Sequence, residues 1–403
     1  MTKKSSKFLR EVKIDWDEIE RKVREHKKKK LKQAAVIAAC CVAAFALIYI
    51  FFQVKTYDKY RVLNEIERSD TQATEFTQFN GNILKYSNDG AFYTDKKNNL
   101  IWNQTFEMQE PLMASCEDYV AFADKDGQDI YIMNTEGLQG RVETTMPIQN
   151  VQVSDNGTVA VLMQNQGVGY IAIYNSQGEC LAEGALHMEN TGYPMEIALS
   201  HNGEMLAVSS LDVNEGNVKT TVSFYNFGAA GQNEIDNIVA SYSYGDCVIP
   251  EMLYVNNNRM IAFGDNSIII YSGSQEPKEE KTISVKSEIK SVFYDQSYFG
   301  IVVSDKDNQN QRKMIVYDMK GKEKTEADLG IGYDDIYFLS DHEICVQNSN
   351  QCEIYTMHGI RKFKSDFDNN LYYVTSGSGF RNYQFLMEGV TEQVRLKFFS
   401  SAR

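Results

Sequence analysis

The chain of 403 residues is acidic overall, with 41 Lys and Arg against 55 Asp and Glu, but the charge is unevenly divided. Residues 1–33 carry 13 basic and 6 acidic residues, so the remainder carries 28 basic against 49 acidic residues, a net charge of −21. That charge argues against nucleic acid as a partner, because nucleic-acid binding needs a basic surface. The 24 Tyr, 21 Phe and only 5 Pro argue against a disordered chain and favour β-strands.

The basic N-terminal segment predicts a cytoplasmic helix. Residues 7–31 place six apolar residues at a loose helical spacing, with Lys and Arg on the other face: Phe8, Leu9, Val12, Trp16, Ile19 and Val23. Such an amphipathic helix could lie on the inner leaflet, dock a cytoplasmic partner, or serve only to set membrane topology. The sequence leaves these three roles open.

The next segment, AAVIAACCVAAFALIYIFF at residues 34–52, has no charged residue. As a helix it would extend roughly 28 Å, about the hydrocarbon thickness of a bilayer. A cleaved signal peptide should end in small residues, which this segment lacks, and a core helix would show a polar face. With KKKKLK preceding it, the segment predicts an uncleaved signal anchor at 34–53, a cytoplasmic tail at 1–33, and an extracytoplasmic domain at 54–403 of a single-pass cell-membrane protein.

Beyond the anchor, one strand pattern ending in Tyr recurs five times. It is found in IAIYNSQG, VSFYNFG, IIIYSGS, MIVYDMKG and CEIYTMHG, whose tyrosines are Tyr174, Tyr225, Tyr271, Tyr317 and Tyr355. Turn signals recur about every forty residues, the period of a four-stranded propeller blade. The pattern predicts an all-β, eight-bladed propeller, with seven blades as the alternative. The eight units are roughly 74–110, 111–147, 148–192, 193–247, 248–288, 289–332, 333–369 and 370–400.

The last unit lacks a fourth strand, and YRVLNEIE at residues 60–67 could supply it and close the ring. Each repeated Tyr should then lie in an apolar layer between blades, with its hydroxyl near a partner or water. Long hairpins at 211–221 and 305–313 should project from the rim, where binding function is commonly found.

Five cysteines follow the anchor, and an odd number spread over a large domain is not a disulfide framework. If Asn348-Ser349 is a two-residue hairpin turn, Cys345 lies opposite Cys352 across two strands. The pair could then be a disulfide or two small buried residues. No Cys and His cluster indicates zinc.

Catalytic motifs are missing from the sequence: there is no GxSxG, P-loop or GxGxxG, and the five histidines, including His342 and His358, are scattered. Two acidic loops, Asp124, Asp126 and Asp129 in one and Asp305 and Asp307 in the other, could hold calcium but also read as hairpin turns. Asp334 and Asp335 could be an acid and base or a solvated turn. We therefore predict no catalytic, cofactor-binding or metal-binding residues, and no cofactor.

The segment FNGNILKYSNDGAFYTDKKNNLIWNQTFEM (79–108), with the anchor and basic tail, resembles an uncharacterised family of single-pass β-propeller proteins of Gram-positive bacteria. That resemblance implies an extracytoplasmic propeller without an assigned activity. The Tyr-ending strands resemble WD40-like and YVTN-type repeats, and residues 98–106 resemble the Trp element of quinoprotein-like (PQQ-like) propellers, which implies that Trp102 docks one blade on the next. The Gly expected before this Trp is replaced by Asn98 or Asn99, and no quinone-binding residue is carried over.

The leading interpretation is a non-catalytic scaffold that binds a protein or envelope component outside the membrane. One alternative is a propeller enzyme acting on envelope sugars, or a quinoprotein-like oxidoreductase. Another is a transmembrane receptor that relays a signal to the cytoplasmic helix. Fold alone does not decide among these functions.

Overall fold

The structure is a computed structural model that describes residues 16–69, 74–186, 192–214, 216–304, 311–379 and 381–397. The chain forms two compact units, Met1–Lys55 and Thr56–Arg403. The first contains one helix, and the second is a β-propeller.

Helix α1 runs without a break from Trp16 to Val54 and joins the basic segment to the apolar one. The sequence predicted two helices divided near residue 33; instead KKKKLKQAA continues the helix, because it contains good helix formers and no Pro or Gly. Within α1, Glu20–Ile48 is long and apolar enough to cross a membrane. Phe8, Leu9 and Val12 of the predicted stripe lie outside the described residues.

The described residues of the second unit form 32 strands in eight four-stranded antiparallel sheets. Blade 1 contains β2 (Glu75–Phe79), β3 (Asn82–Ser87), β4 (Gly90–Thr94) and β5 (Leu100–Thr105), and blade 2 contains β6 (Pro111–Cys116), β7 (Tyr119–Asp124), β8 (Asp129–Asn134) and β9 (Gly137–Glu143). Blade 3 contains β10 (Ile148–Val153), β11 (Val159–Asn165), β12 (Val168–Tyr174) and β13 (Cys180–Leu186), and blade 4 contains β14 (Tyr193–Leu199), β15 (Met205–Asn214), β16 (Asn217–Asn226) and β17 (Ile238–Gly245).

The remaining four blades follow the same order. Blade 5 contains β18 (Glu251–Asn256), β19 (Arg259–Phe263), β20 (Ser267–Ser272) and β21 (Lys278–Ser284), and blade 6 contains β22 (Ile289–Tyr294), β23 (Tyr298–Ser304), β24 (Arg312–Asp318) and β25 (Glu323–Asp328). Blade 7 contains β26 (Asp335–Phe338), β27 (Ile344–Gln347), β28 (Gln351–Tyr355) and β29 (Arg361–Asp366), and blade 8 contains β30 (Leu371–Ser376), β31 (Asn382–Met387), β32 (Val390–Leu396) and β1 (Tyr60–Glu67).

Blade 8 joins the two ends of the propeller. Strand β1 pairs antiparallel with β32, from Tyr60 opposite Leu396 to Glu67 opposite Val390. The eight blades and the closing strand predicted at 60–67 are therefore confirmed. Strand β1 therefore completes blade 8, and the first strand of the domain is hydrogen-bonded to the last, which closes the ring.

Apolar side chains fill the space between successive blades, and the repeated tyrosines lie in these layers. Tyr271 packs between blades 4 and 5, Tyr317 between blades 5 and 6, and Tyr355 between blades 6 and 7. Tyr174 and Tyr225 are half-buried against the corresponding layers of blades 2–3 and 3–4. A blade alone leaves these apolar faces in water, so stacking of neighbours is what stabilises each sheet.

The repeated Tyr also marks an irregularity that the sequence did not predict. Between the third and fourth strands of blades 3 to 7, the register shifts by one residue at each of these tyrosines; on blade 3, Ile173 lies opposite Ala182 but Tyr174 lies opposite Cys180. The same shift occurs on blades 1 and 2. A bulge of this kind bends the outer strand and increases its twist.

In the long hairpin predicted at 211–221, residues 211–214 and 217–221 are β-strand. Strands β15 and β16 are ten residues each and stay paired out to Asn214 opposite Asn217. Of the other predicted hairpin at 305–313, residues 305–310 lie outside the described residues.

Candidate functional site

The first strand of each blade lies next to the axis of the ring. Neighbouring blades contact each other chiefly through these first strands, as β10 does with β6 and β14, and β2 does with β30. Side chains on the first strands are therefore the ones that can meet around the axis, where propellers commonly place ligand sites.

At one end of the axis, polar side chains from the ends of first strands and from the turns that follow them reach across to other blades. Gln296 of blade 6 donates a hydrogen bond from Nε2 to Glu117 Oε1 of blade 2 at 2.9 Å. Gln78 of blade 1 donates from its own Nε2 to Ser340 Oγ of blade 7 at 3.0 Å. Blades 2 and 6 are opposite in an eight-bladed ring, so the first of these bonds spans the axis and narrows its opening.

Two carboxylates lie on the first strands of adjacent blades. Asn150 Nδ2 of blade 3 donates a 2.7 Å hydrogen bond to Glu196 Oε2 of blade 4. Burial, and then the charge of Glu251 on blade 5, raise the pKa of Glu196 to about 8, although the bonds from Ile197 N–H and Asn150 oppose the shift. Burial also raises the pKa of Glu251.

Tyr294, at the end of β22 in blade 6, belongs to the same group. Partial burial, followed by the charges of Glu251 and Glu196, raises the pKa of Tyr294 to about 12. A carboxyl that holds its proton near neutral pH, beside a second carboxyl, can donate or accept a proton or hydrogen-bond an uncharged polar ligand. We name Asn150, Glu196, Glu251 and Tyr294 the axial carboxyl cluster.

Sequence reasoning missed this cluster. The only local signal is a Glu within otherwise apolar first strands, YPMEIAL and EMLYVN. Because the residues come from blades separated along the chain, only the ring brings them together.

A second concavity lies on the outer edge between blades 3 and 4, and we name it the outer groove. Its volume is about 360 Å³. Its walls are mainly apolar side chains of β12, β13 and blade 4: Ile171, Ile173, Leu186, Tyr225, Phe227 and Ile238. Glu183 and Asp236 stand at the same groove.

The acidic loop suggested for calcium has other partners. Asp124 Oδ1 accepts hydrogen bonds from the backbone N–H of Gln109 and Glu110, and Asp129 pairs with Arg141 at 2.7 Å. Asp126 accepts a bond from Gln149 Nε2 at 2.8 Å. Among the residues with described positions, no group of three metal-ligating side chains is present. Asp305 and Asp307 lie outside them.

The other polar candidates are likewise separated. His342 Nδ1 lies 2.5 Å from Asp295 Oδ2 of the neighbouring blade, whereas His358 uses its backbone N–H to contact Thr356 Oγ1. The two histidines occupy different turns of blade 7. Asp334 and Asp335 are both exposed, and Asp335 is the first residue of β26.

The hairpin turn that was predicted at Asn348-Ser349 is wrong by one residue. Gln347 lies opposite Cys352 and Cys345 opposite Ile354, so the turn residues are Ser349 and Asn350. The side chain of Asn348 accepts hydrogen bonds from the N–H groups of Asn350 and Gln351, which favours this turn. Cys345 and Cys352 are diagonal neighbours instead, buried and free, with their Sγ atoms 3.7 Å apart.

Trp102 lies where the resemblance to quinoprotein-like repeats implied. It is buried in the layer between blades 1 and 2, with its ring 5.3 Å from that of Tyr93. Burial of so large a side chain contributes strongly to docking these two blades.

Comparison with known proteins identifies a family and a fold. Residues 53–396 match a family of unknown function (DUF5711), and the chain belongs to it. No curated protein matches the chain. The C-terminal WD40 domain of Sif2 is similar in structure, with a TM-score of 0.55, 8% identity, and coverage of 85% of this chain and 99% of that one.

Two further solved structures are similar. Sqt1 of Saccharomyces cerevisiae has a TM-score of 0.52 and 12% identity, covering 85% of this chain and 99% of its own. BamB of Moraxella catarrhalis has a TM-score of 0.47 and 12% identity, covering 84% and 100%. At these identities the likeness to Sif2 and Sqt1 shows the fold alone, a β-propeller.

Proposed function

We propose that this protein is a non-catalytic scaffold, held at the cell membrane by α1, that binds a protein or envelope component with its extracytoplasmic propeller. The observation that carries the proposal is the hydrogen bond between Gln296 and Glu117 across the axis. It narrows one opening of the ring, so a macromolecular partner has the rim and outer edges available rather than a passage through the centre.

The anchored location rests on chain order and charge. The closing strand β1 begins at Tyr60, six residues after α1 ends at Val54, so the propeller follows the apolar helix directly in sequence. Lys27–Lys30 precede the apolar segment, and positively charged residues favour the cytoplasmic side. An acidic propeller would attract basic partners by its overall field.

The location is tested with native Cys180, which is exposed on the outer strand of blade 3. A membrane-impermeant maleimide applied to intact cells should label the full chain at Cys180. The Cys180→Ser variant should lose this label, and labelling only after lysis would overturn the proposed topology.

Binding is tested by cross-linking in intact cells followed by affinity purification and mass spectrometry. The full chain is compared with a chain ending at residue 55 and with a chain lacking residues 8–26. A partner that needs the propeller but not residues 8–26 supports the scaffold. If the partner is lost when residues 8–26 are deleted, while Cys180 is still labelled from outside, a transmembrane relay would be favoured. If the full chain captures no more partner than the chain ending at residue 55, the scaffold proposal would be overturned.

The axial carboxyl cluster supports one other function, hydrolysis of envelope sugars. Glu196 would hold a proton for the leaving group while Glu251 acts as the base or nucleophile, a division of roles that glycosidases use. A panel of 4-nitrophenyl glycosides between pH 5 and pH 8 tests it. Turnover by the full chain that Glu196→Gln abolishes would favour the enzyme, and no turnover would count against it.

A further inference from the structure

The outer groove arises where one blade departs from a repeated packing position. In blades 1 to 7 an equivalent position can be found by counting back from the register shift. It is the fourth-strand residue that pairs with the third-strand residue three positions before the first shifted one. On blade 3 these residues are Ile171 and Gly184. The equivalent fourth-strand residues on the other six blades all have side chains: Gln104, Val142, Tyr242, Ile283, Ala327 and Ser365.

On blades 2, 4 and 5 that side chain packs in the layer between two blades. Val142 belongs to the core between blades 2 and 3, Tyr242 packs on the core between blades 4 and 5, and Ile283 on that between blades 5 and 6. On blade 3 the residue is glycine, and a Cβ at Gly184 would have no atom within 4 Å. The groove is thus the space that such a side chain occupies on those blades.

Strand β13 forms one wall, and no strand among the described residues pairs with its outer edge. It pairs with β12 on one side, and Leu181, Glu183 and Ala185 are exposed. Fourth strands of three other blades are protected by charge, in KEEKTIS, EKTEAD and RKFKSD, whereas CLAEGAL carries one charged residue. Charged residues on an edge strand oppose pairing with another chain, so β13 is less protected than these three edges. The fourth strands of blades 1 and 4, LIWNQT and IVASYSYG, carry no charge, but at the position equivalent to Gly184 they have the side chains of Gln104 and Tyr242.

The charges at the groove favour one kind of partner. Glu183 and Asp236 lie at the groove, and among the described residues that line it there is no Lys or Arg. An apolar segment flanked by basic side chains complements this surface, because opposite charges at the rim steer association and disfavour acidic partners.

Building on the proposed scaffold function, we propose that an extended segment of a partner protein, with basic and bulky apolar residues in alternation, adds as a fifth strand to β13. One apolar side chain enters the outer groove beside Gly184. Backbone hydrogen bonds to the free edge provide affinity, and the groove and acidic rim provide specificity, as in other cases of strand addition.

The test measures fluorescence anisotropy with the full chain in a non-ionic detergent. The probe is a labelled nine-residue peptide in which Lys alternates with Val and the central apolar residue is Phe. Gly184→Trp puts a large side chain at the groove, where a Cβ would have no atom within 4 Å. Gly245→Trp is the matched control, because Gly245 ends the fourth strand of blade 4 and a Cβ there would also have no atom within 4 Å. Circular dichroism verifies that both variants are folded.

We expect the peptide to bind saturably to the wild-type chain. Gly184→Trp should weaken this binding by about tenfold or more, whereas Gly245→Trp should change it by less than about twofold. Glu183→Lys should also weaken it, and a scrambled peptide of the same composition should bind poorly. No saturable binding, equal binding to the Gly184→Trp variant, or equal binding of the scrambled peptide would each overturn the proposal. If Gly184→Trp still captures the cellular partner, this inference fails while the scaffold function stands.

Discussion

Gln296 and Glu117 lie on opposite blades, 6 and 2, yet their side chains share a 2.9 Å hydrogen bond across the axis of the propeller. Residues 179 positions apart in sequence meet here because the turns after β6 and β22 both point over the same end of the ring. Their meeting depends on the number of blades, since an odd ring has no opposite pairs.

Cysteine substitution at these two positions should allow a cross-link across the axis. With Cys180 replaced by Ser, the pair Glu117→Cys and Gln296→Cys should react with a short bismaleimide to give one intramolecular product, identified by mass spectrometry. The control pair Glu117→Cys and Glu143→Cys places both thiols on blade 2, at opposite ends of its strands, and should not cross-link. Equal yields from the two pairs would contradict the closed end.

Glu196 should make the folded protein less stable as the pH rises. Its folded pKa of about 8 exceeds the ordinary 4.5, so the folded state keeps a proton that the unfolded state releases. The stabilisation is complete below about 4.5 and is lost as the pH rises through about 8, a change of about 2 kcal/mol after allowance for solvent screening. Thermal denaturation between pH 5 and pH 9 should show this slope.

Glu196→Gln mimics the protonated carboxyl and should flatten the slope, leaving the smaller contribution of Glu251, whose pKa is raised by burial. Glu143→Gln, at an exposed carboxyl on β9, is the control and should retain the wild-type slope. An unchanged slope in Glu196→Gln would show that Glu196 is ordinary in the folded state.

Two of the repeated tyrosines should respond differently to removal of the hydroxyl group. Tyr271 is fully buried and its hydroxyl lies 2.6 Å from that of Tyr244, whereas no described residue bonds the hydroxyl of Tyr317. Tyr271→Phe should lower the free energy of unfolding by about 1 kcal/mol, and Tyr317→Phe by less than about 0.5 kcal/mol. Denaturant melts of both variants measure the difference, and equal losses would mean that the ring alone matters.

Glu353 should be the most sensitive carboxylate to truncation. It is fully buried on β28, with Arg361 at 3.0 Å, Lys364 at 3.1 Å and Tyr355 Oη at 2.7 Å. Glu353→Ala leaves these groups without their common acceptor and should cost about 3–5 kcal/mol of unfolding free energy. Glu326→Ala removes a half-exposed pair with Lys313 and should cost no more than about 1 kcal/mol, which makes it the control in the same denaturant series.

The pH response of Glu353 has the opposite sign to that of Glu196. Burial alone would raise the pKa of Glu353, but the bonds from Tyr355, Lys364 and Gly330 N–H outweigh burial and lower it. Its stabilisation is therefore present above the ordinary value of 4.5 and is lost as the pH falls through the lower folded value. Acid titration of Glu353→Gln against the wild type should show a reduced loss of stability at low pH.

The thiols of Cys345 and Cys352 should be unreactive until the protein unfolds. Both are buried away from reagents in solution, and burial raises the pKa of the Cys352 thiol, so little reactive thiolate forms at Cys352. Iodoacetamide should modify exposed Cys180 in the native chain, and should modify Cys345 and Cys352 only after denaturation without a reductant. Failure to modify Cys345 and Cys352 in the denatured, unreduced chain would reveal a disulfide.

The sequence by itself determined the architecture to within a residue or two at many strands. Tyr-ending strands, turn signals and a forty-residue period are local properties, and they predicted eight blades and a closing strand at 60–67 that pairs with β32 as observed. The predicted turn at Asn348-Ser349 was wrong, because the side chain of Asn348 accepts backbone hydrogen bonds that favour a turn one residue later. Cys345 and Cys352 are therefore diagonal neighbours rather than directly opposite.

Only the tertiary structure decided what the blades place together. Glu196 has an unusual pKa because Asn150 and Glu251 lie on neighbouring blades, and Gln296 reaches Glu117 because the ring has an even number of blades. Gly184 reads in sequence as one small residue of an outer strand; it lines a groove because the next blade packs beside it. Contacts between blades depend on the ring's curvature and closure, which no single repeat encodes.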